Sequence, residues 1–115
     1  KNSRVLIMGV TFKENVSDIR NSKVSDMVKE LKDYFINVDV VDPYADNSEL
    51  KHEYGFELIK EPSGCYDAII VTVPHNKFKQ LDDQYFSSIT HAHGIVADLK
   101  GMYRGKIKNR HYWSL

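Results

Sequence analysis

Val5-Leu6-Ile7-Met8-Gly9-Val10 is a short, continuously apolar run that ends beside a glycine. Side chains alternate faces along a strand, so an unbroken apolar run marks a strand buried on both faces, the habit of parallel sheets. Two further runs repeat the signal. Ala68-Ile69-Ile70-Val71-Thr72-Val73 is the strongest of them, closed by Pro74, and Gly94-Ile95-Val96-Ala97-Asp98 follows later. Val38, Val40 and Val41 make another strand, closed by Asp42-Pro43. Proline has no N–H to give a ladder, so it punctuates strand ends.

Between these runs the period changes. Val24, Met27, Val28, Leu31 and Phe35 fall on one face at helical spacing, behind Asn21 or Ser22 as a cap. Glu49 to Tyr54 reads as a short helix, Phe56 to Ile59 as a short strand, and Phe78 to Ile89 as a short helical stretch. Tyr112-Trp113 suggests a last strand or a packed tail. This alternation predicts an α/β fold: a Rossmann-like, open, mainly parallel sheet with helices on both faces and right-handed crossovers. In such sheets ligands bind outside the carboxyl ends of the strands. The places to search are therefore residues 11–21, 42–46, 74–77 and 98–104.

Composition bounds the function. The chain has 115 residues, which fits one domain spanning 1–115. Sixteen Lys+Arg balance sixteen Asp+Glu, which leaves no global charge for a nucleic acid or an anionic membrane. A phosphate ligand must therefore be held by local donors. No apolar run approaches the ~18 residues of a membrane span, no signal peptide is visible, and the default compartment is the cytoplasm. The single Cys65 excludes an internal disulfide and a multi-cysteine metal site. The chain starts without Met and enters its first strand at once, as if cut from a longer protein.

A dinucleotide fingerprint would need G-x-G-x-x-G after the first strand, but only Gly9 is present. In its place stand Phe12, Lys13 and, later, Arg20. An aromatic packs on a base or ribose; lysine gives phosphate a compact charge and arginine a planar fork of donors. The loop is long for a βα connection, where ~2–6 residues are normal, and long loops are more often functional. The competing reading is a solvated loop in which Lys13 and Arg20 pair with Glu14 or Asp18. Asp42 stands where dinucleotide folds carry a ribose-binding acid, yet without the glycines an ordinary Asp-Pro turn is the better reading. Lys100 either faces the same ligand as Lys13 or marks a plain strand exit. His75 either lines a crevice or starts the next helix. His91 and His93 read as part of a turn, with no nearby carboxylates to complete a metal site. Cys65 has no activating base in its neighbourhood and reads as a semi-buried structural thiol.

The run from Gly9 to Val24 contains Gly9, Phe12, Lys13, Asp18, Arg20 and Ser22 in the pattern G-x-x-F-K-x-x-x-x-D-x-R-x-S. It resembles the signature that opens the C-terminal domain of the UDP-glucose/GDP-mannose dehydrogenase family. Asp42-Pro43, Pro74-His75, Asp98-Leu99-Lys100-Gly101 and the Tyr112-Trp113-Ser114-Leu115 ending are similar to that family too, so the resemblance spans essentially the whole chain. In particular it resembles the bacterial branch that oxidises UDP-N-acetylhexosamines for capsule or O-antigen.

The resemblance implies a three-part enzyme. An N-terminal Rossmann domain binds NAD, a helical middle domain carries the catalytic cysteine and much of the dimer contact, and a C-terminal domain helps hold the UDP-sugar. This chain would be the third part alone, inactive by itself and without catalytic or metal-binding residues, in an enzyme that is a homodimer or larger. Phe12 and Lys13 match the pair that contacts the nucleotide sugar, Arg20 the arginine that reaches toward NAD, and Lys100 a basic residue of the substrate pocket. Asp18 would orient Lys13 or Arg20. Cys65 does not match the catalytic motif. A rival from another class is a stand-alone receiver-like signalling module, which needs an acidic pair after the first strand where this chain has Thr11-Phe12-Lys13.

Overall fold

A computed structural model describes residues 3–11, 23–34 and 36–114. Its strands are β1 (Arg4–Met8), β2 (Asn37–Val41), β3 (Tyr66–Val71), β4 (Thr90–Asp98) and β5 (His111–Ser114). Its helices are α1 (Lys23–Asp33), α2 (Asn47–Tyr54) and α3 (Asp83–Ser88), with a 3-10 turn over Asn76–Phe78. All five strands pair in parallel, in the order β2-β1-β3-β4-β5. The chain leaves β1 to one side for β2 and returns to the other side for β3. The order therefore reverses at β1 and β3, which makes their carboxyl ends the topological switch point.

The apolar runs are continuous because each strand feeds two cores. Val5 and Ile7 of β1 pack with Val28 of α1, Leu50 of α2 and Phe56 on one face. Leu6 and Met8 pack on the other with Ile69, Val71, Phe78, Phe86 and Val96. Helices therefore cover both faces, as expected. Helix α2 is set by its ends: the Asp46 carboxylate accepts the Glu49 N–H at 3.1 Å, which satisfies one first-turn donor.

Three local readings need correction. Phe56–Ile59 is not a strand. Phe56 is taken into the core beneath α1, and only the Ile59 N–H reaches β2, at the Val40 carbonyl (2.9 Å), which is too little to propagate a ladder. His91 and His93 lie in β4 rather than in a turn. The register moves from Tyr66↔Thr90 to Ala68↔Ile95, so the Thr-His-Ala-His-Gly stretch is taken up as a bulge inside the strand. The strand at 94–98 is covered on one face only. α1 and α2 pack over β1 and β2, and Ile95 and Trp113 stay 45% and 50% exposed.

No helix forms between β4 and β5 in residues 99–110. Tyr103 and Ile107 supply the buried cover instead. Asp98, at the end of β4, holds this crossover: its Oδ2 accepts the Tyr103 N–H and the Tyr112 hydroxyl, each at 2.6 Å. Burial pushes the Tyr112 hydroxyl up to about 12, and the Asp98 carboxylate beside it adds to the rise. Tyr112→Phe removes one charge-assisted bond and is expected to cost about 1.5–3 kcal/mol in urea unfolding. A loss under about 0.5 kcal/mol would show that Tyr112 does not tie β5 to β4.

Candidate functional site

The carboxyl ends of β1, β2 and β3 converge on one buried cluster. Beyond β1, Gly9 adopts φ +100° and lies against Val73, its N–H bonded to the Val41 carbonyl at 2.9 Å. A side chain here would start 2.6 Å from Val73 Cβ, so glycine is required for backbone approach. Next come Val10 and Thr11, whose backbone N–H groups both donate to Asp42 Oδ2, at 2.7 and 3.2 Å. The second carboxylate oxygen, Oδ1, accepts from Tyr44 N–H (2.8 Å) and Ala45 N–H (3.0 Å).

His75, from the end of β3, completes the cluster. Its Nε2 lies 2.9 Å from Asp42 Oδ2 and 3.1 Å from Thr11 Oγ1. Both the His75 and Asp42 side chains are fully buried. The imidazole is wedged between the rings of Tyr44 and Phe78, with centroids 4.7 and 5.5 Å away. Burial raises the Asp42 pKa. The hydrogen bonds from His75, Val10 and Tyr44, with the attraction of a protonated imidazole, more than offset it, so the carboxyl stays below its ordinary value of 3.8.

This settles two open readings. Asp42 forms the Asp-Pro turn and does not offer itself to a ribose, because both oxygens are occupied by the chain's own donors. His75 starts the next helical turn, as the residue that caps Asn76–Phe78 and accepts the Phe78 N–H at its carbonyl (2.9 Å), and its buried side chain is the interior partner of Asp42. The standard dinucleotide cradle does not fit here. Its one glycine is used for packing on Val73, and its acid is engaged. NAD therefore has no such seat among the described residues of this chain.

The predicted ligand residues Phe12, Lys13 and Arg20, with Asp18, lie outside the described residues. Lys100 is exposed on the turn after β4, at the same sheet end as Thr11 and two strands away from β1. The turn is closed by the Gly101 N–H to the Asp98 carbonyl, at 3.2 Å. Cys65 is exposed rather than semi-buried, because it follows the Pro62-Ser63-Gly64 break on the way into β3. His91 and His93 sit toward the amino end of β4, opposite the switch point. Among the described residues no three His, Cys, Asp or Glu side chains gather as metal ligands.

One feature of this end was not legible in the sequence. A cleft of about 600 Å³ opens beside the cluster, floored by Met8 and Val41 and walled by Ile59, Phe78, Leu81 and Tyr85. Its apolar walls look like ordinary core in the sequence, and Asn47, Lys60, Glu61 and Lys77 line it as well.

The strand order is the flavodoxin-like one, which signalling receivers share, so topology alone does not separate the rival readings. The residues do. The ends of β1 and β3 carry Gly9-Val10-Thr11 and Thr72-Val73-Pro74-His75, with no carboxylate of their own for magnesium.

Comparison with known proteins decides the family. Residues 6–105 match the UDP-glucose/GDP-mannose dehydrogenase family, UDP binding domain. The chain belongs to this family. Among curated family members, the UDP-N-acetyl-D-glucosamine 6-dehydrogenases of Pseudomonas aeruginosa and Salmonella typhi are each 46% identical over 99 residues, 85% of this chain. The match takes in 24% and 23% of those two proteins, so the chain spans about a quarter of the length of its relatives. A solved family fold, the UDP-N-acetyl-mannosamine dehydrogenase Cap5O of Staphylococcus aureus, superposes with TM-score 0.77 at 22% identity. It covers 99% of this chain and 26% of that one. That likeness confirms the fold.

Proposed function

We propose that this chain is the C-terminal, UDP-sugar-binding domain of an NAD-dependent nucleotide-sugar 6-dehydrogenase. The whole enzyme would oxidise a UDP-N-acetylhexosamine to the UDP-uronic acid in capsule or O-antigen biosynthesis, in the cytoplasm. The observation that carries this reading is the family match across residues 6–105. The 46% identity to two UDP-N-acetyl-D-glucosamine 6-dehydrogenases favours the N-acetylhexosamine substrate.

In this reading Phe12, Lys13 and Lys100 contact the UDP-sugar, and Arg20 reaches NAD from the domain boundary. The N-terminal and middle domains of the same polypeptide hold NAD and the catalytic cysteine, in a homodimer or larger assembly. This domain makes and breaks no bond. Binding UDP far from the reacting C6 holds that carbon in place and converts a bimolecular encounter into an oriented one. NAD, when bound, accepts hydride.

The test is turnover by the full-length protein, followed as NADH absorbance. Two NADH should form per UDP-N-acetylhexosamine, because a primary alcohol becomes a carboxylate. Lys13→Ala should raise KM about 10–100-fold, the loss of one charge-assisted phosphate contact of about 1.5–3 kcal/mol. No NADH with any UDP-sugar would reject the enzymatic reading.

A further inference from the structure

Strand register lays two rows of side chains across one face of the sheet. One row runs Val38, Val5, Ala68, Ile95, His111, and the other Val40, Ile7, Ile70, Ala97, Trp113. Exposure climbs from β1 outward to β5. Val5 and Ile7 are buried, Ala68, Ile70 and Ala97 are half-buried, and Ile95 and Trp113 are 45% and 50% exposed. Helix α1 forms one wall of the opening. Its Lys32 reaches over the Phe56 ring at 5.7 Å, and Phe56 leads to Ile59 on the free edge of β2. The opposite flank, with Met27, Leu31 and the following Tyr34, therefore faces β3. Among the described residues the exposed large hydrophobic side chains are Tyr34, Ile95 and Trp113, and all three border this one opening.

Parallel sheets are found with both faces covered. Among the described residues nothing covers this face of β4 and β5. The opening has the width of a helix. From β3 to β5 is two strand spacings, about 10 Å, and a helix with its side chains is about 10–12 Å across. The chain's own helices do not suit the place. α1 turns Asp26, Lys29, Glu30 and Asp33 outward, and α2 turns Glu49, Lys51, His52 and Glu53 outward, all of them exposed. A second copy would therefore seat charge on Ile95 and Trp113, which is costly. A longer polypeptide supplies another source. The match takes in only 24% and 23% of the two UDP-N-acetyl-D-glucosamine 6-dehydrogenases. A helix tethered on the same polypeptide meets the opening at high local concentration.

We propose that the open face over β3–β5 seats an amphipathic helix from the part of the polypeptide outside these 115 residues. Its apolar stripe lies on Ile70, Ile95, Ala97 and Trp113, beside Met27 and Leu31 of α1. The seat fixes the direction of the sheet, and with it the carboxyl ends of the strands, relative to the other domains. The proposal rests on the reading above that the chain is one domain of a longer enzyme.

The experiment uses the full-length protein. The photoreactive residue p-benzoyl-phenylalanine is placed at position 95 or 113 and irradiated, and the joined peptides are identified by mass spectrometry. Both positions should crosslink to one helical segment outside these residues, within a single polypeptide. In parallel, Ile95→Cys and Trp113→Cys are alkylated with iodoacetamide. Each thiol should react about 100-fold more slowly in the native protein than in the urea-unfolded one. Adding Ile95→Glu to Trp113→Cys should return most of the lost reactivity, because a carboxylate under the helix unseats it. Should the glutamate variant not fold, the two cysteine variants still decide.

Thiols reacting within about threefold of their unfolded rates would show the face open to water and overturn the proposal. Crosslinks between two polypeptides would give the face to a second copy, and crosslinks back into these 115 residues would give it to the chain itself. Either result overturns the seat. A natural polypeptide no longer than this chain would instead reject the underlying reading of a domain in a longer enzyme.

Discussion

Asp42→Ala is expected to lower the unfolding free energy by about 3–5 kcal/mol at pH 7, because several donors lose one shared acceptor and each such loss at a buried donor costs about 1–3 kcal/mol. The substitution removes the acceptor that the N–H groups of Val10, Thr11, Tyr44 and Ala45 and the His75 imidazole share, the Val10, Thr11 and His75 contacts being buried and those of Tyr44 and Ala45 part-buried. The loss should depend on pH with a definite sign. The folded Asp42 carboxyl is depressed below 3.8, so the unfolded chain binds the proton more readily. Its stabilising contribution is therefore fully present above that ordinary value and is lost as pH falls through the folded one. Urea unfolding at pH 7 and at a series of values below 4 should show wild type and variant drawing together in acid. A constant difference across that range would mean that the charge of Asp42 is not what holds the turn.

Gly9→Ala should be comparably severe for a different reason. The residue sits at φ +100°, where a non-glycine residue carries strain of about 1–3 kcal/mol. Its new methyl would start 2.6 Å from Val73 Cβ and 2.9 Å from Val73 N. Relieving that contact moves either β1 or the segment after β3, and overpacking of this kind costs about 1–3 kcal/mol more. Thr72 cannot easily give way, because its hydroxyl donates to the Met8 and Gly9 carbonyls across the same gap. An overall loss of about 2–6 kcal/mol is expected in urea unfolding. Truncating the neighbour in the double variant Gly9→Ala, Val73→Ala should recover little, because alanine keeps the Cβ and backbone atoms of residue 73 that the new methyl meets. A Gly9→Ala protein as stable as the wild type would mean that β1 and β3 do not approach as closely as described.

The two predictions show which parts of the structure were readable from local sequence. The parallel sheet was legible because strands buried on both faces must be apolar throughout, and Val5–Val10 and Ala68–Val73 are. The Asp-Pro turn at Asp42 was legible because proline ends a strand whatever surrounds it. The distant partners of Asp42 were not. Val10 and His75 lie 32 and 33 residues away, and no local pattern encodes a contact at that distance.

The errors have the same origin. Phe56–Ile59 has the composition of a strand, but Phe56 and Leu58 are claimed by the core under α1 and α2. Gly94–Asp98 has the composition of a doubly buried strand, yet the helices that would cover its second face lie over β1 and β2. His91 and His93 look like a turn because a bulge and a turn use the same residues. For the ligand site, the motif from Gly9 to Ser22 identifies the family. Residues 12–22 lie outside the described structure, so the roles of Phe12, Lys13 and Arg20 rest on that motif and not on geometry.

The central claim, that this domain is a UDP-binding unit whose key cation is Lys13, is tested most directly by titration calorimetry of UDP into the full-length protein. The account predicts saturable one-to-one binding that weakens about 10–100-fold in Lys13→Ala, with the fold of the variant intact. Equal UDP affinity in wild type and Lys13→Ala would contradict it.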